Sequence, residues 1–389
     1  MAVIDADITE TVNPGFIYSV DDEQVTINAG ILVESQQNDG VSSNQNGSIF
    51  INNGNVFSGN TGVDFTGANQ LITNNATGSI VASDVGMSIE SAGVTIINHG
   101  TIHGSNEFGV DFKPATEDFT LSNTGSIYGR DIGVLMGSDL DGGVISNSGL
   151  IRSDTFGIGI NHNGGDVTLI TNTGGTIKGT DAAIFILEGR LSLKNTGTIV
   201  GDIESDDTTG NVNDSIVNSG KILGQVLLGA GNDVFNGKSG KFPVVVFGEE
   251  GNDTLIGGRG KDQLDGGADN DLIRGGRGKD LLTGGNDSDL FDFNTIKDSL
   301  KGGKRDKILD FTRGEDDIDL KGIDAKTGVS GNQKFNFIGK QDFSEKKGEL
   351  RYEDKGSKVI VQGDVNGDGK ADFEIYVAVG SLGKGDFLL

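Results

Sequence analysis

The chain has 389 residues, among them 65 Gly, 3 Pro and no Cys or Trp, and its 57 acidic against 31 basic side chains leave a formal charge of −26. That sign opposes the basic face a nucleic-acid binder needs, no window reaches the roughly 18 apolar residues of a membrane span, and the opening MAVIDADITE lacks the pattern of a cleaved signal. Without Cys there is no disulfide framework and no thiolate site, so a metal would fall to oxygen or to one of 3 His.

Charge divides the chain unevenly: residues 1–224 hold 7 basic and 27 acidic side chains, residues 225–389 hold 24 and 30. Repetition is plain in the first part. The phrases NHGTIHG at 98, NTGSIYG at 123, NSGLIRS at 147, NTGGTIKG at 172, NTGTIVG at 195 and NSGKILG at 218 set their leading Asn 23 to 25 residues apart, with weaker copies near Asn28, Asn52 and Asn75. Between them Gly62-Val63, Gly86-Met87, Gly109-Val110, Gly133-Val134, Gly157-Ile158 and Ala183-Ile184 each open a short alternating run. Units of this length, with Gly and Asn at corners that need φ > 0 and no sustained helical period, predict a parallel β-helix of about nine coils over residues 25–227, capped by residues 1–24. Parallel crossovers favour the right-handed form.

Stacked coils bring Asn98, Asn123, Asn147, Asn172, Asn195 and Asn218 into one column, where side-chain amides can bond along the axis. A neighbouring column of Asp84, Glu107, Asp131, Asp154 and Asp181 reads either as solvated turn residues or as a line of cation ligands. The outward position of the phrase carries His103, Tyr128, Arg152, Lys178 and Val200 in turn. The set His103, Tyr128, Arg130, Arg152 and Asp154 is the catalytic alternative, since a cation for a sugar carboxylate beside proton-handling groups is what a polysaccharide lyase or C5-epimerase needs. Against it, no coil holds a singular cluster, and the YGFDPH motif of bacterial mannuronan epimerases is absent. His99 and His162 read as solvated, and no HExxH occurs.

From residue 248 the text becomes GEEGNDTLI, GGRGKDQLD, GGADNDLIR, GGRGKDLLT and GGNDSDLFD, with Asp253, Asp262, Asp271, Asp280 and Asp289 nine residues apart. Six residues make a turn, and three make a strand that points Leu255, Leu264, Ile273, Leu282 or Phe291 inward. Two such units close a coil, so residues 18 apart stack, pairing Asp253 with Asp271, Asp262 with Asp280 and Asp271 with Asp289. Carboxylates together with turn carbonyls, such as those of Gly258, Gly260, Gly276 and Gly278, form an all-oxygen cage that suits a hard cation with six to eight ligands. Ca2+ is the expected cofactor. LGAGNDVFN around Asp233 is an edge copy, and the next copy has Phe242 at the Asp position, out of register by two. A β-roll over residues 228–293 with such short strands and clustered charge is expected to fold only with metal. These nonapeptides resemble the G-G-x-G-x-D-x-U-x repeats of RTX proteins.

Residues 294–389 contain DKILDFTRGEDDIDLKGID at 306, FNFIG at 335, the long phrase from Gly348 and a terminal DFLL, and they resemble the C-terminal domain of serralysin-type proteases and related type I secretion substrates. That resemblance implies export by type I secretion machinery, an extracellular secreted product, and Asp386-Phe387-Leu388-Leu389 as part of an uncleaved signal. The protease module has no counterpart. Asp364, Asn366, Asp368 and Asp372 have the spacing of an EF-hand-like calcium loop, but Ile375 stands where the bidentate Glu belongs; a β-hairpin turn is the equal alternative.

The expected architecture is thus all-β: an N-terminal parallel β-helix solenoid continuing into a calcium-binding parallel β-roll and a C-terminal β-rich secretion domain. The leading expectation for function is a calcium-binding, exported protein with a structural or adhesive β-helix, and cell-surface polysaccharide as a partner. An enzyme acting on an acidic glycan is the alternative.

Overall fold

The structure is a computed structural model and describes residues 2–4, 8–10, 16–17, 24–113, 118–137, 143–161, 167–206 and 212–389. Most of the segment expected to form the cap, and His162, lie outside these residues. No α-helix occurs among the described residues, and no helix is long and apolar enough to cross a membrane. The chain packs as two compact units, Met1–Asp207 with Ile222–Gly224, and Thr208–Lys221 with Gln225–Leu389.

Unit 1 is a parallel β-solenoid with three strands to a coil. One coil runs through Leu71–Asn74, Ser79–Ala82 and Met87–Ile89, the next through Thr95–Asn98, Thr101–Gly104 and Phe108–Phe112, each strand pairing parallel with its equivalent. Alternation along short strands sends every second side chain inward, so three aliphatic columns form. Phe50, Ile72, Ile96, Leu121 and Ile145 make the first, Val56, Ile80, Ile102, Ile127 and Ile151 the second, and Val63, Met87, Val110, Val134 and Ile158 the third, all at 0% exposure. Burying each such side chain contributes roughly 1.5–3 kcal/mol. The glycine that opens the third strand is steric in origin: a Cβ on Gly109 would lie 2.5 Å from Gly133 O and 2.7 Å from Ile127 Cγ2.

The asparagine column is continuous. Nδ2 of Asn52, Asn74, Asn98, Asn123, Asn147 and Asn172 donates to Oδ1 of the next member at 2.8–2.9 Å, the last of these acceptors being Asn195 Oδ1 on the Asn172 amide. In the weaker copy near Asn75 it is Asn74 that belongs to the column, and Asn75 bonds Asn53 at 2.7 Å. The acidic column is offset at one coil. Register aligns Asp131 with Thr155, while the Asp154 N–H donates to Arg130 O at 2.9 Å, so Asp154 stands one position early.

Unit 2 begins as a two-stranded parallel roll. One face stacks Val234–Asn236, Thr254–Ile256, Leu272–Arg274, Leu290–Asp292 and Asp317–Asp319; the other stacks Gln225–Leu227, Val245–Glu250, Gln263–Ala268, Leu281–Gly285, Asp306–Ile308 and Phe373–Val377. Between them Phe235, Leu255, Leu264, Ile273, Leu282, Phe291 and Ile308 are all fully buried. Each 18-residue coil is complete in itself until an insertion after Phe293, which contains the short 3-10 turn Gly302–Lys304. The sheet then turns antiparallel, Glu349–Asp354 against Val359–Asp364 and that strand against Phe373–Val377.

Candidate metal centre

Each nonapeptide ends its turn with an Asp whose side chain points into the roll rather than to solvent. On one edge the N–H groups of Asp233, Asp253, Asp271 and Asp289 donate to Oδ1 of Asp253, Asp271, Asp289 and Asp316 at 2.8–3.0 Å. On the other edge the N–H groups of Val244, Asp262 and Asp280 donate to Oδ1 of Asp262, Asp280 and Asp306 at 2.9–3.0 Å. The pairs expected from 18-residue spacing are therefore brought together. Val244, not Phe242, takes the place of the missing Asp: the two extra residues push Phe242 out to 47% exposure, and Val244 supplies only a backbone donor.

The second carboxyl oxygens are the unusual feature. Oδ2 of Asp253, Asp271, Asp280, Asp289 and Asp306 is buried and meets no hydrogen-bond donor, on side chains that are at most 3% exposed. A buried unpaired polar atom costs about 1–3 kcal/mol, more if charged. Burial, joined by neighbouring carboxylates, pushes the carboxyls of Asp253, Asp280 and Asp289 up to about 7, Asp271 to about 8 and Asp306 to about 9. Asp262 is also raised by burial, opposed by N–H bonds from Gly258 and Val244, the former at 2.8 Å to its Oδ2.

The leading glycines lie beside these oxygens. A Cβ on Gly257 would sit 2.4 Å from Gly275 O and 2.6 Å from Asp262 Oδ2; one on Gly275 would lie 2.6 Å from Asp280 Oδ2; and one on Gly266 would strike Asp271 Oδ2 and lie 2.6 Å from Gly284 O. The leading Gly of each repeat thus leaves space that a methyl group would fill. Of the expected carbonyl ligands, Gly258 O accepts the Arg277 N–H at 2.8 Å, and Gly260 and Gly278 sit against Oδ1 of Asp262 and Asp280. Gly276 is left-handed at φ 84°.

Three ladder members were not anticipated. Asp306 and Asp316 stand 26 and 27 residues beyond Asp280 and Asp289, outside the nine-residue period, and Asp214, whose N–H donates to Asp233 Oδ1 at 2.6 Å, precedes the roll's first recognised copy. The signal available was local: Asp306-Lys307-Ile308, Asp316-Asp317-Ile318 and Asp214-Ser215-Ile216 each repeat Asp followed two residues on by a buried Ile.

The loop at Asp364 closes on itself. Asp364 accepts the N–H groups of Asn366, Gly367 and Gly369, and Asp372 accepts those of Val365 and Asn366 together with Asn366 Nδ2. Asp368 accepts only the Lys370 N–H, and Ile375 is a buried residue of the returning strand. The turn joins an antiparallel pair.

The catalytic alternative stacks on itself along the outside of unit 1. His103, Tyr128, Arg152 and Lys178 are register neighbours; the His103 and Tyr128 rings are 4.6 Å apart, Arg152 lies 4.5 Å over Tyr128, and Tyr128 Oη donates to Asp154 Oδ2 at 3.0 Å. Burial and Arg152 lower the pKa of His103. Arg130 and Asp154 occupy adjacent rungs. His99 Nδ1 lies 2.6 Å from Thr124 Oγ1 in an exposed pair.

Residues 142–389 match the family described as Peptidase M10 serralysin C terminal, well over half of the chain. The chain belongs to that family. In this serralysin C-terminal member the strand Phe387–Leu388 pairs parallel with Ile318 and Asp319, and Asp386 Oδ2 accepts the Gly383 N–H at 2.6 Å and Arg313 Nε at 3.2 Å. No curated protein matches the chain. Among solved structures it is similar to the AlgE6R3 subunit of the mannuronan C5-epimerase of Azotobacter vinelandii, with 21% identity, 47% of this chain and 81% of that chain covered, and a TM-score of 0.20.

Proposed function

We propose that this serralysin C-terminal member is an extracellular calcium-binding protein of the RTX kind, exported by a type I system, in which the roll folds on calcium and the β-helix serves a structural or adhesive role. The observation that carries the reading is the repeated, buried and unpaired Oδ2 on both edges of the roll, with a leading glycine beside those of Asp253, Asp271, Asp280 and Asp289. An all-oxygen donor set with at least one carboxylate per site is what a hard, high-coordination cation takes.

The residues that would hold the ions are Asp253, Asp262, Asp271, Asp280 and Asp289 with the added Asp306 and Asp316, together with the turn carbonyls. Calcium would supply the positive charge that lets these carboxyls stay ionised in a buried ladder. The chain's own part is to place them: short strands set the spacing, N–H bonds fix each Oδ1, and the leading glycines keep the space open. The loop at Asp364, its carboxylates already accepting backbone donors, is read as a hairpin turn. We assign residues 25–227 to the β-helix, 228–293 to the roll and 294–389 to the secretion domain.

Because calcium is scarce in a cytosol and abundant outside, a chain whose roll needs the ion would pass an exporter unfolded and then be trapped folded. Equilibrium dialysis of the full chain against radioactive calcium tests the reading. Several ions per chain are expected, with fewer in Asp271→Asn and in Asp280→Asn; a wild-type chain that retains none would refute it.

A further inference from the structure

The two edges of the roll share one backbone design but not one charge. Both carry the N–H to Oδ1 chain, the glycine that leaves no room for Cβ and a buried Oδ2 without a donor, the exception being Asp262, whose Oδ2 accepts the Gly258 N–H. Their turns differ. On the edge of Asp253, Asp271 and Asp289 the turn residues include Glu249, Glu250, Asp269 and Asp287, and the residue before each Asp is Asn252, Asn270 or Ser288. On the edge of Asp262 and Asp280 the turns hold Arg259 and Arg277, with Gly260 and Gly278 where Asp269 and Asp287 stand on the first edge, and Lys261 and Lys279 stand directly before each Asp.

Asp269 and Asp287 occupy a left-handed position, at φ 74° and 69°, one coil apart and aligned with Gly251. Left-handed backbone costs an L-residue about 1–2 kcal/mol that glycine does not incur. The exposed carboxylate is thus held at a strained backbone position within electrostatic reach of the ladder: the charges of Asp269 and Glu249 act on Asp253, that of Asp269 on Asp271, and those of Asp287 and Asp310 on Asp289. On the opposite edge the carboxylate outside the ladder that acts on Asp280 and Asp306, among the described residues, is Asp298, whose oxygens already accept the Asn294 and Thr295 N–H groups and the Thr295 hydroxyl. Arg259 and Arg277 are exposed and form no ion pair among the described residues.

We propose that the roll binds calcium in two classes, the acidic edge of Asp253, Asp271 and Asp289 filling at lower calcium than the basic edge of Asp262, Asp280 and Asp306. The inference rests on the calcium reading above and adds the order of filling. Asp280 and Asp306 present the same unpaired Oδ2 as Asp253, Asp271 and Asp289, so between these the surrounding charge decides the difference: one unit charge acting on a divalent ion across about 10 Å, at an effective dielectric near 45, changes affinity on the order of tenfold. Screening shrinks such a difference at high salt.

The test is amide exchange resolved by residue on the full chain, stripped of metal and titrated with calcium chloride at low and high salt. Expected is protection of Asp253, Asp271 and Asp289 at a calcium concentration at least about tenfold below that protecting Asp262 and Asp280, with the gap narrowing in salt. Asp269→Asn with Asp287→Asn should weaken the first class, and Arg259→Gln with Arg277→Gln, which touches no ladder side chain, should tighten the second. If both edges gain protection at one calcium concentration and the arginine pair moves neither, the proposal is overturned while calcium binding stands. Absence of any calcium-dependent protection would instead remove the underlying reading and the proposal with it.

Discussion

The Asp262 N–H donates to Asp280 Oδ1 at 2.9 Å, leaving Asp280 Oδ2 buried with no donor at all. In Asp253, Asp271, Asp280, Asp289 and Asp306 one carboxyl oxygen is used to build the coil and the other is left for something the chain itself does not provide, whereas Asp262 Oδ2 accepts the Gly258 N–H and Asp316 Oδ2 the Thr312 N–H. The repetition of that division, on two edges and over several coils, sets the roll apart from the asparagine column of unit 1, where each Asn Nδ2 and Oδ1 within the run meets its neighbour.

Adding a methyl group to the space beside that oxygen should abolish the site. Gly275 has no left-handed requirement, yet its Cβ would lie 2.6 Å from Asp280 Oδ2 and 2.8 Å from Asp280 Cβ. Gly275→Ala is expected to lower calcium affinity at least about tenfold and to destabilise the roll by roughly 1–3 kcal/mol. Titration calorimetry and calcium-dependent melting of the variant check both.

Protons and calcium should compete. The carboxyls of Asp253, Asp271, Asp280, Asp289 and Asp306 are raised to between about 7 and about 9 in the metal-free fold, against about 3.9 for an unfolded Asp. Between those values the folded state binds more protons than the unfolded one, so metal-free stability falls as pH rises from about 4 toward 9. A urea midpoint measured in chelator should therefore be higher at pH 5 than at pH 8. With saturating calcium the order should reverse, and calcium uptake at pH 6 should release protons in calorimetry across buffers of different ionisation enthalpy. A chelated midpoint that climbs between pH 5 and pH 8 would contradict the assignment of these carboxyls.

Asn123→Ala tests the other ladder. It removes the acceptor of Asn98 Nδ2 and the donor to Asn147 Oδ1, both buried. A loss of about 1–3 kcal/mol in the unfolding of unit 1 is expected, with calcium binding unchanged. Chemical denaturation followed beside calcium titration separates the two.

The stack of His103, Tyr128 and Arg152 is satisfied by its own members and by Asp154. Incubation with alginate or pectate is accordingly expected to yield neither unsaturated ends nor epimerised residues, in the wild type and in Tyr128→Phe alike. Product formed by the wild type and lost in Tyr128→Phe would revive the enzymatic reading.

Both solenoid periods were legible because stacking converts sequence spacing directly into height along the axis. Leu255, Leu264, Ile273, Leu282 and Phe291 are buried as the nine-residue phrase requires, and the column from Asn98 to Asn195 follows from Asn spacing alone. What spacing could not carry was a coil of changed length. The insertion after Phe293 displaces Asp306 and Asp316 from the period, although each still aligns by strand register with Asp280 and Asp289. The two extra residues before Val244, visible in the sequence as a copy out of register, put another apolar side chain at the backbone position of the missing Asp. At Asp154 the error was a single residue, since an acid one place early in the turn looks equivalent until the pairing of Ile132 with Phe156 fixes the column. The state of the Oδ2 atoms depends on burial from adjacent coils and has no signature in a linear phrase.

The dependence of the roll on calcium is tested most directly by amide exchange of the full chain in chelator and in millimolar calcium. The account predicts that amides of residues 245–292 exchange freely in chelator at pH 8 and become protected in calcium, while those of Leu71–Asn74, Thr95–Asn98 and Phe119–Asn123 are protected in both. Equal protection of residues 245–292 in the two conditions would contradict it.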